Sequence, residues 1–333
     1  RAAKAIHNHE QKKNNDNLND HLQSLISHII HAIVHDTGHF CPYNQSFFNG
    51  QLMSKPLYVI AQYCCPQRKL THFVGWLAAC RWKWFKNWAI KRLIRKYHVN
   101  LAEAASENLD DYPDFNSFFT RQLKPGLRPL APGEQTLSSP ADGCISQLGR
   151  IQNDTILQAK NFNYTTVSLL GGAQTLAHKF EDGSFATIYL APKDYHRVHM
   201  PITGKLLETT YIPGKLFSVN TITAQTVPNL FARNERLVCV FETAIGPVAV
   251  ILVGAMLVGN IQTVWPMHHP RHEITTERYP HGPTIERGEE LGLFKMGSTV
   301  IILLPKNKVE WLSSLQESSV VRMGEKLGET TLI

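Results

Sequence analysis

The 333-residue chain predicts an α+β fold, mainly β: a sandwich- or barrel-like domain preceded by N-terminal amphipathic helices. Three observations predict it. From residue 144 onward the apolar runs are short, β-branched and bounded by Gly, Pro, Asn or Asp, which is how strands are punctuated. Between residues 73 and 97 the apolar positions instead recur every three or four residues, the period of a helix face. The hydrophobic share of 43% is also enough, at this length, to bury a sizeable core.

Residues 1–52 differ from the rest. They hold seven of the sixteen histidines and no Trp or Met, and the first Met is Met53. This segment reads as an extension. The apolar run Leu25-Ile26 with Ile29-Ile30 fits one helix, but His28 and His31 interrupt it and no small-residue cleavage site follows, so it is a poor signal peptide.

Residues 53–99 form the second region. Phe73, Trp76, Leu77, Cys80 and Trp84 make one stripe; Ile90, Leu93, Ile94 and Tyr97 make another, out of register with the first. Two short helices with a break near 81–86 are expected. Four of the six tryptophans fall here, and residues 53–102 carry ten Lys or Arg and no acid, leaving 24 basic against 27 acidic side chains elsewhere. The net charge of +7 therefore resides in this segment, which implies an anionic partner. Aromatic rings mixed with basic side chains describe a helix lying in a lipid interface. A helical hairpin packed on the body with a solvated basic face is the bland alternative. Stacking on nucleic acid is a third, without a nucleic-acid fold motif to support it, and no nucleic-acid partner is expected.

Residues 100–333 form the third region. "NLAEAASENL" and "DFNSFFTRQL" read as helices, the second with Asp114 as N-cap. Strands are expected at 144–148, 155–157, 184–190, 205–212, 237–243, 248–257 and 300–304. Residues 243–270 carry no Asp, Glu, Lys or Arg, but Pro247, Gly254, Gly259, Asn260 and Gln262 break the run, and it reads as core strand, not as a membrane span. The six cysteines are scattered without a C-x-x-C, which fits reduced thiols and neither a disulfide framework nor a zinc site.

Three stretches carry candidate chemistry: "SSPADGCISQLG" with Asp142, "APKDYHRVHMP" with His196 and His199, and "FKMGSTVIILL" with Ser298. Asp, His and Ser are the parts of a relay in which an acid orients an imidazole and the imidazole takes a hydroxyl proton. Each also has a structural reading. Asp142-Gly143 is a turn signal, the histidines can be core residues, and Gly297-Ser298-Thr299 can be a turn before a buried strand. His196 and His199 with "HHPRH" (His268, His269, His272) are a conceivable metal set, but no metal is expected from their spacing. A serine hydrolase is the nearest conventional enzyme, and the G-x-S-x-G elbow is missing.

The blocks "SSPADGCISQLG", "ILQAKNFNYT", "YLAPKDYHRVHMP", "YIPGKLFSVN", "NLFARNERL", "ILVGAMLVGNIQTVW" and "LGLFKMGSTVI", in that order, closely resemble the pyruvoyl-dependent, bacterial membrane-associated phosphatidylserine decarboxylases. The L-G-S-T motif of that family stands here as Met296-Gly297-Ser298-Thr299, a mild apolar exchange.

The resemblance implies that the chain cuts itself between Gly297 and Ser298. It would give 1–297 (the β chain) and 298–333 (the α chain), with Ser298 converted to a covalent pyruvoyl cofactor that forms a Schiff base with the substrate amine. It implies His199 as the base on Ser298, Asp142 as its orienting acid, and His196 as the proton donor in decarboxylation. Arg197, Arg233 and Arg236 are the candidates for the substrate phosphate, and Ser218 is a further candidate for substrate binding. The implied product is phosphatidylethanolamine with CO₂. The implied setting is peripheral, on the cytoplasmic side of the inner membrane, as a homodimer of processed protomers. A decarboxylase for another amine-bearing headgroup, or a membrane-binding homologue that is never processed, are the alternatives.

Overall fold

A computed structural model describes residues 55–159, 162–256, 261–267, 272–295 and 298–331, with the backbone alone described at 55–58, 61, 221 and 298. The 1–52 segment with its expected helix, Met296, Gly297, His268 and His269 lie outside these residues.

Three helices open the described chain: α1 (Lys55–Cys64), α2 (Gln67–Ala78) and α3 (Lys83–Tyr97). The expected break falls at residues 79–82. The two apolar stripes have opposite fates. Ile90 and Leu93 of α3 are buried, in a small cluster with Val99, Tyr112, Phe118 and Phe119. In α2 the buried residues are Gln67, Thr71, Val74 and Ala78, whereas Phe73 and Trp76 of the stripe are exposed. The helix thus presents its small and polar side to the body and its aromatic side outward, the reverse of a helix that docks on a core.

The expected helix at 100–109 is absent. Two short 3₁₀ turns, Leu101–Glu103 and Leu109–Asp111, take its place. Asn108 Oδ1 accepts the amide of Asp110 at 3.1 Å, and the side chains of Ser106 and Asn108 donate to Asp111. Short polar side chains bonding locally give the backbone an alternative to helix. Asp114 does cap the next helix, α4 (Phe115–Phe119), by accepting the Ser117 amide at 2.8 Å.

The strands that position the site are β1 (Gly143–Arg150), β2 (Ser184–Leu190), β3 (Arg197–His199), β4 (Gly204–Ile212), β5 (Arg236–Thr243), β6 (Gly246–Val253), β7 (Ile261–Thr263), β8 (Thr275–Arg278), β9 (Glu290–Phe294), β10 (Ser298–Leu304) and β11 (Val320–Val321). Eight of them form one antiparallel sheet in the order β8-β4-β5-β6-β10-β2-β1-β11, and Thr284–Ile285 adds a ninth strand beside β4. Among the described residues this sheet is open, with β8 and β11 at its ends. A second antiparallel sheet has the order β7-β9-β3.

β10 is central and explains its own sequence. Residues Val300 to Leu304 are all 0% exposed. Ile302 and Leu304 share one cluster with Ile145, Ile188 and Val248; Ile301 and Leu303 belong to the main core with Val250, Leu252 and Phe185. Because both faces of the strand are covered, the run is continuously apolar instead of alternating.

Candidate active site

The register of the main sheet brings six strand ends together. Ile212 is opposite Arg236, Arg236 opposite Val253, Val253 opposite Thr299, Ser298 opposite Leu190, and Tyr189 opposite Cys144. Asp142 therefore immediately precedes β1 at the same end of the sheet at which Ser298 begins β10, with one strand between them. That separation is about 10 Å at ordinary strand spacing. Gly143 is required there: a Cβ on it would lie 2.3 Å from the Tyr189 carbonyl oxygen.

The second sheet delivers the histidines to this end. β3 pairs with β9, placing His199 opposite Glu290, and the amide of Phe294 donates to the His196 carbonyl at 3.1 Å. β9 ends four residues before Ser298 in the sequence, so the histidine segment is stitched to the strand that precedes the Gly-Ser bond. The His199 amide also donates to the Pro140 carbonyl at 2.7 Å, two residues before Asp142.

His199 is buried, and its Nδ1–H donates to the Gly288 carbonyl at 2.8 Å. This leaves Nε2 as the acceptor, facing the Tyr195 hydroxyl at 3.3 Å. Gly288 has φ of +86°, and a Cβ on it would lie 2.5 Å from the Leu130 side chain, so the carbonyl is aimed by a backbone that favours glycine. Burial pulls the His199 pKa down, opposed by the Gly288 bond and by the charges of Glu290 and Asp142.

Asp142 and His199 share no hydrogen bond. Asp142 accepts instead from Arg128 through Nε and Nη2 and from the Met323 amide at 2.8 Å, and Arg128 Nη2 also reaches Glu103 at 2.7 Å. The Asp142 charge bears on the imidazole only as one of the contributions that raise its pKa, while the Gly288 carbonyl sets the tautomer.

His196 is fully buried. Its Nδ1–H donates to the Asp194 carbonyl at 2.9 Å, its ring packs against Phe119 with centroids 4.0 Å apart, and its Nε2 has no partner among the described residues. Burial lowers its pKa to about 3, so the ring is neutral with a lone pair at Nε2. An unpartnered buried acceptor is uncommon and marks a place for a proton or a donor to arrive.

The four substrate-binding candidates are differently placed. Arg236 spends its donors on the carbonyls of Leu169, Ala232, Asn234 and Ser168. Arg197 grips Glu290 with two bonds and donates to the Thr120 carbonyl. Arg233 is exposed and donates to the Tyr63 hydroxyl, and Ser218 is buried with its amide on Gln62. A cavity of about 270 Å³ is lined by Lys124, Arg128, Tyr195, Glu290 and Met323 among others.

Residues 115–329 match the family described as phosphatidylserine decarboxylase, and residues 57–98 match a second family description, PSD. The chain belongs to the phosphatidylserine decarboxylase family. It is 50% identical over 281 residues to a phosphatidylserine decarboxylase proenzyme of Pseudomonas entomophila strain L48, covering 83% of this chain and 98% of that one. It is 49% identical over 282 residues to that of Pseudomonas fluorescens Pf-5, with 83% and 98% covered. To that of Coxiella burnetii RSA 331 it is 50% identical over 271 residues, with 80% and 96% covered. The decarboxylase-family match spans Asp142, His196, His199 and Ser298, and the 57–98 match spans most of α1 and all of α2 and α3.

Arg128, Tyr195 and Gly288 escaped the sequence reading as site residues. Tyr195 stands inside a singled-out block and was legible as a neighbour. Arg128 and Gly288 act across 14 and 89 residues, and no local pattern signals either partnership.

Proposed function

We propose that this chain is a phosphatidylserine decarboxylase made as a proenzyme, which cuts itself between Gly297 and Ser298 and works at a membrane surface. The observation that carries the proposal is the pairing of the His196–His199 segment with the strand that leads in sequence to Ser298, at the end of the main sheet where Asp142 also lies.

In the cutting reaction the Ser298 hydroxyl adds to the Gly297 carbonyl, its proton passing to a base, and the peptide C–N bond is exchanged for an ester that breaks by elimination. His199 Nε2 suits the base, because its other nitrogen is committed as Nδ1–H to Gly288. Asp142, paired with Arg128, contributes a negative charge that favours the imidazolium that forms. The piece 298–333 stays bound because β10 lies between β6 and β2 with its apolar side chains buried, so the mature protomer is a heterodimer of its own two pieces. A homodimer of such protomers completes the reading.

A pyruvoyl group at 298 fits these surroundings: the residue is anchored by strand pairing to Leu190, and a buried acceptor without a partner, His196 Nε2, stands in the segment stitched to Phe294. The group supplies an electron sink for the bond that breaks as CO₂ leaves an amine-bearing acid. His196 Nε2 is the atom that takes a proton from the incoming ammonium and returns one to carbon. It arrives unprotonated, since burial keeps the ring neutral.

The membrane reading rests on the outward aromatic face. Trp76, Trp82 and Trp84 are 70%, 67% and 61% exposed, among Arg81, Lys83, Lys91 and Arg95. Each basic residue near an anionic leaflet contributes on the order of 1 kcal/mol. Among the described residues no helix is long and apolar enough to cross a membrane. We place residues 53–99 in the lipid interface, on the cytoplasmic face of the inner membrane, and residues 100–333 as the catalytic domain.

The test is CO₂ release from phosphatidylserine vesicles by purified protein, beside free serine and phosphoserine. Release from the lipid alone, abolished in Ser298→Ala, is the expected result. A chain that is cut yet releases no CO₂ from the lipid overturns the substrate assignment.

A further inference from the structure

The consecutive helices α1 and α2, together the helix hairpin, do more than carry an aromatic face. The segment 213–220 between β4 and β5 is irregular, and the buried amides of Leu216 and Ser218 have no strand to join. Buried amides must find acceptors. Both find them on the hairpin: Leu216 N donates to Gln67 Oε1 at 2.8 Å and Ser218 N to Gln62 Oε1 at 2.9 Å. The two glutamines are 7% and 3% exposed, and Gln67 Nε2 donates to the Gln62 carbonyl at 2.9 Å, tying α2 to α1 across their corner. Tyr63 packs edge-on to Phe217 with centroids 4.9 Å apart.

The other side of the same segment is joined to the Ser298 end of the sheet. Asn234 Nδ2 donates to the carbonyls of Phe217 and Gly254, each at 2.9 Å, and the Met256 amide reaches the Phe217 carbonyl at 3.3 Å. Gly254 follows Val253, the register partner of Thr299. On the far side of the hairpin Ile60, Phe73 and Trp76 are exposed.

We infer that Gln62 and Gln67 are positioning residues through which the lipid-facing hairpin fixes the shape of segment 213–220 at the active-site end of the sheet. Adhesion alone needs apolar and basic side chains on the outer face. It gives no reason for two buried amide side chains aimed inward at backbone donors. The inference rests on the membrane reading above and adds to it that the same hairpin builds part of the substrate site.

Gln62→Met with Gln67→Met keeps side-chain length and removes both acceptors while leaving the outer face intact. Two probes are used on the processed protein: dihexanoyl phosphatidylserine below its micelle concentration, and vesicles of phosphatidylserine with phosphatidylcholine. With the soluble lipid, where membrane recruitment plays no part, KM rises about tenfold and kcat stays within about twofold, in line with two lost hydrogen bonds of ordinary strength. Vesicle co-sedimentation is unchanged. Gln62→Glu, which exchanges an unpartnered amide nitrogen for a carboxyl oxygen and keeps an acceptor for the Ser218 amide, stays nearer the wild-type KM than Gln62→Met. Should the double variant fail to fold, each single Gln→Met variant shows a smaller rise in KM.

Unchanged KM, or vesicle binding lost in step with activity, overturns the inference. Wild-type protein that decarboxylates neither probe overturns the proposed function instead. Hydrogen exchange then decides the inference separately: the Leu216 and Ser218 amides exchange at least about tenfold faster in the variants if the glutamines hold them, and at the wild-type rate if they do not.

Discussion

The two histidines of the site are held neutral by burial, and their cost shows in acid. His196 has a folded pKa of about 3 against an ordinary 6.5. Between those values the unfolded chain binds a proton that the folded chain does not, so unfolding is favoured as pH falls. For this group stability is fully present above pH 6.5 and declines by about 1.4 kcal/mol per pH unit below it. Urea midpoints between pH 6.5 and 4 should therefore fall less steeply in His196→Gln than in the parent; equal slopes would refute the buried, neutral assignment. The same variant separates the two reactions. It should still be cut but turn over poorly, whereas His199→Gln should remain almost wholly uncut by denaturing electrophoresis. Asp142 poses a different problem, since its partner is Arg128 and both are largely buried. Arg128→Met strands the carboxylate and should destabilise the protein by about 3 kcal/mol or more in urea unfolding. Asp142, His196 and His199 were legible because their residue types announce chemistry. Arg128 and Gly288 were not, because their meaning lies in what the fold places opposite them.

At the scale of elements, legibility followed apolar pattern. β10 reads directly from its sequence, as do β2, β4, β5 and β6, because covered strands must be β-branched and apolar. β3 is three residues of a histidine motif, and β8, Thr275–Arg278, alternates half-buried with exposed residues and has no apolar run to detect. The 100–109 segment went wrong for a local reason, the Ser106 and Asn108 side chains competing for the backbone. α2 is the instructive case, since its period gave the helix but its apolar stripe faces outward, which periodicity cannot state. The central strand gives the element-scale prediction. Ile301→Ala, at a position with no exposure between β6 and β2, should cost about 3 kcal/mol by urea unfolding. A loss below about 1 kcal/mol would mean that the strand contributes little to holding the short piece.

At the scale of the whole molecule, the basic, aromatic helices and the active-site end of the sheet belong to one account of a lipid substrate. Replacing Trp76, Trp82 and Trp84 by Ala should weaken co-sedimentation with anionic vesicles by about tenfold or more while leaving turnover of a soluble short-chain lipid near its parent value. Loss of both activities together would return these residues to a purely structural role. On the proposed function, the chain makes its own cofactor. The most direct measurement is a denaturing intact-mass spectrum of the purified protein, with and without hydroxylamine. Self-cleavage with pyruvoyl formation gives two pieces divided between Gly297 and Ser298, the shorter lighter than its encoded mass by the elements of ammonia and gaining mass with the amine. A single full-length mass from folded protein, unchanged after incubation with anionic vesicles, would contradict it.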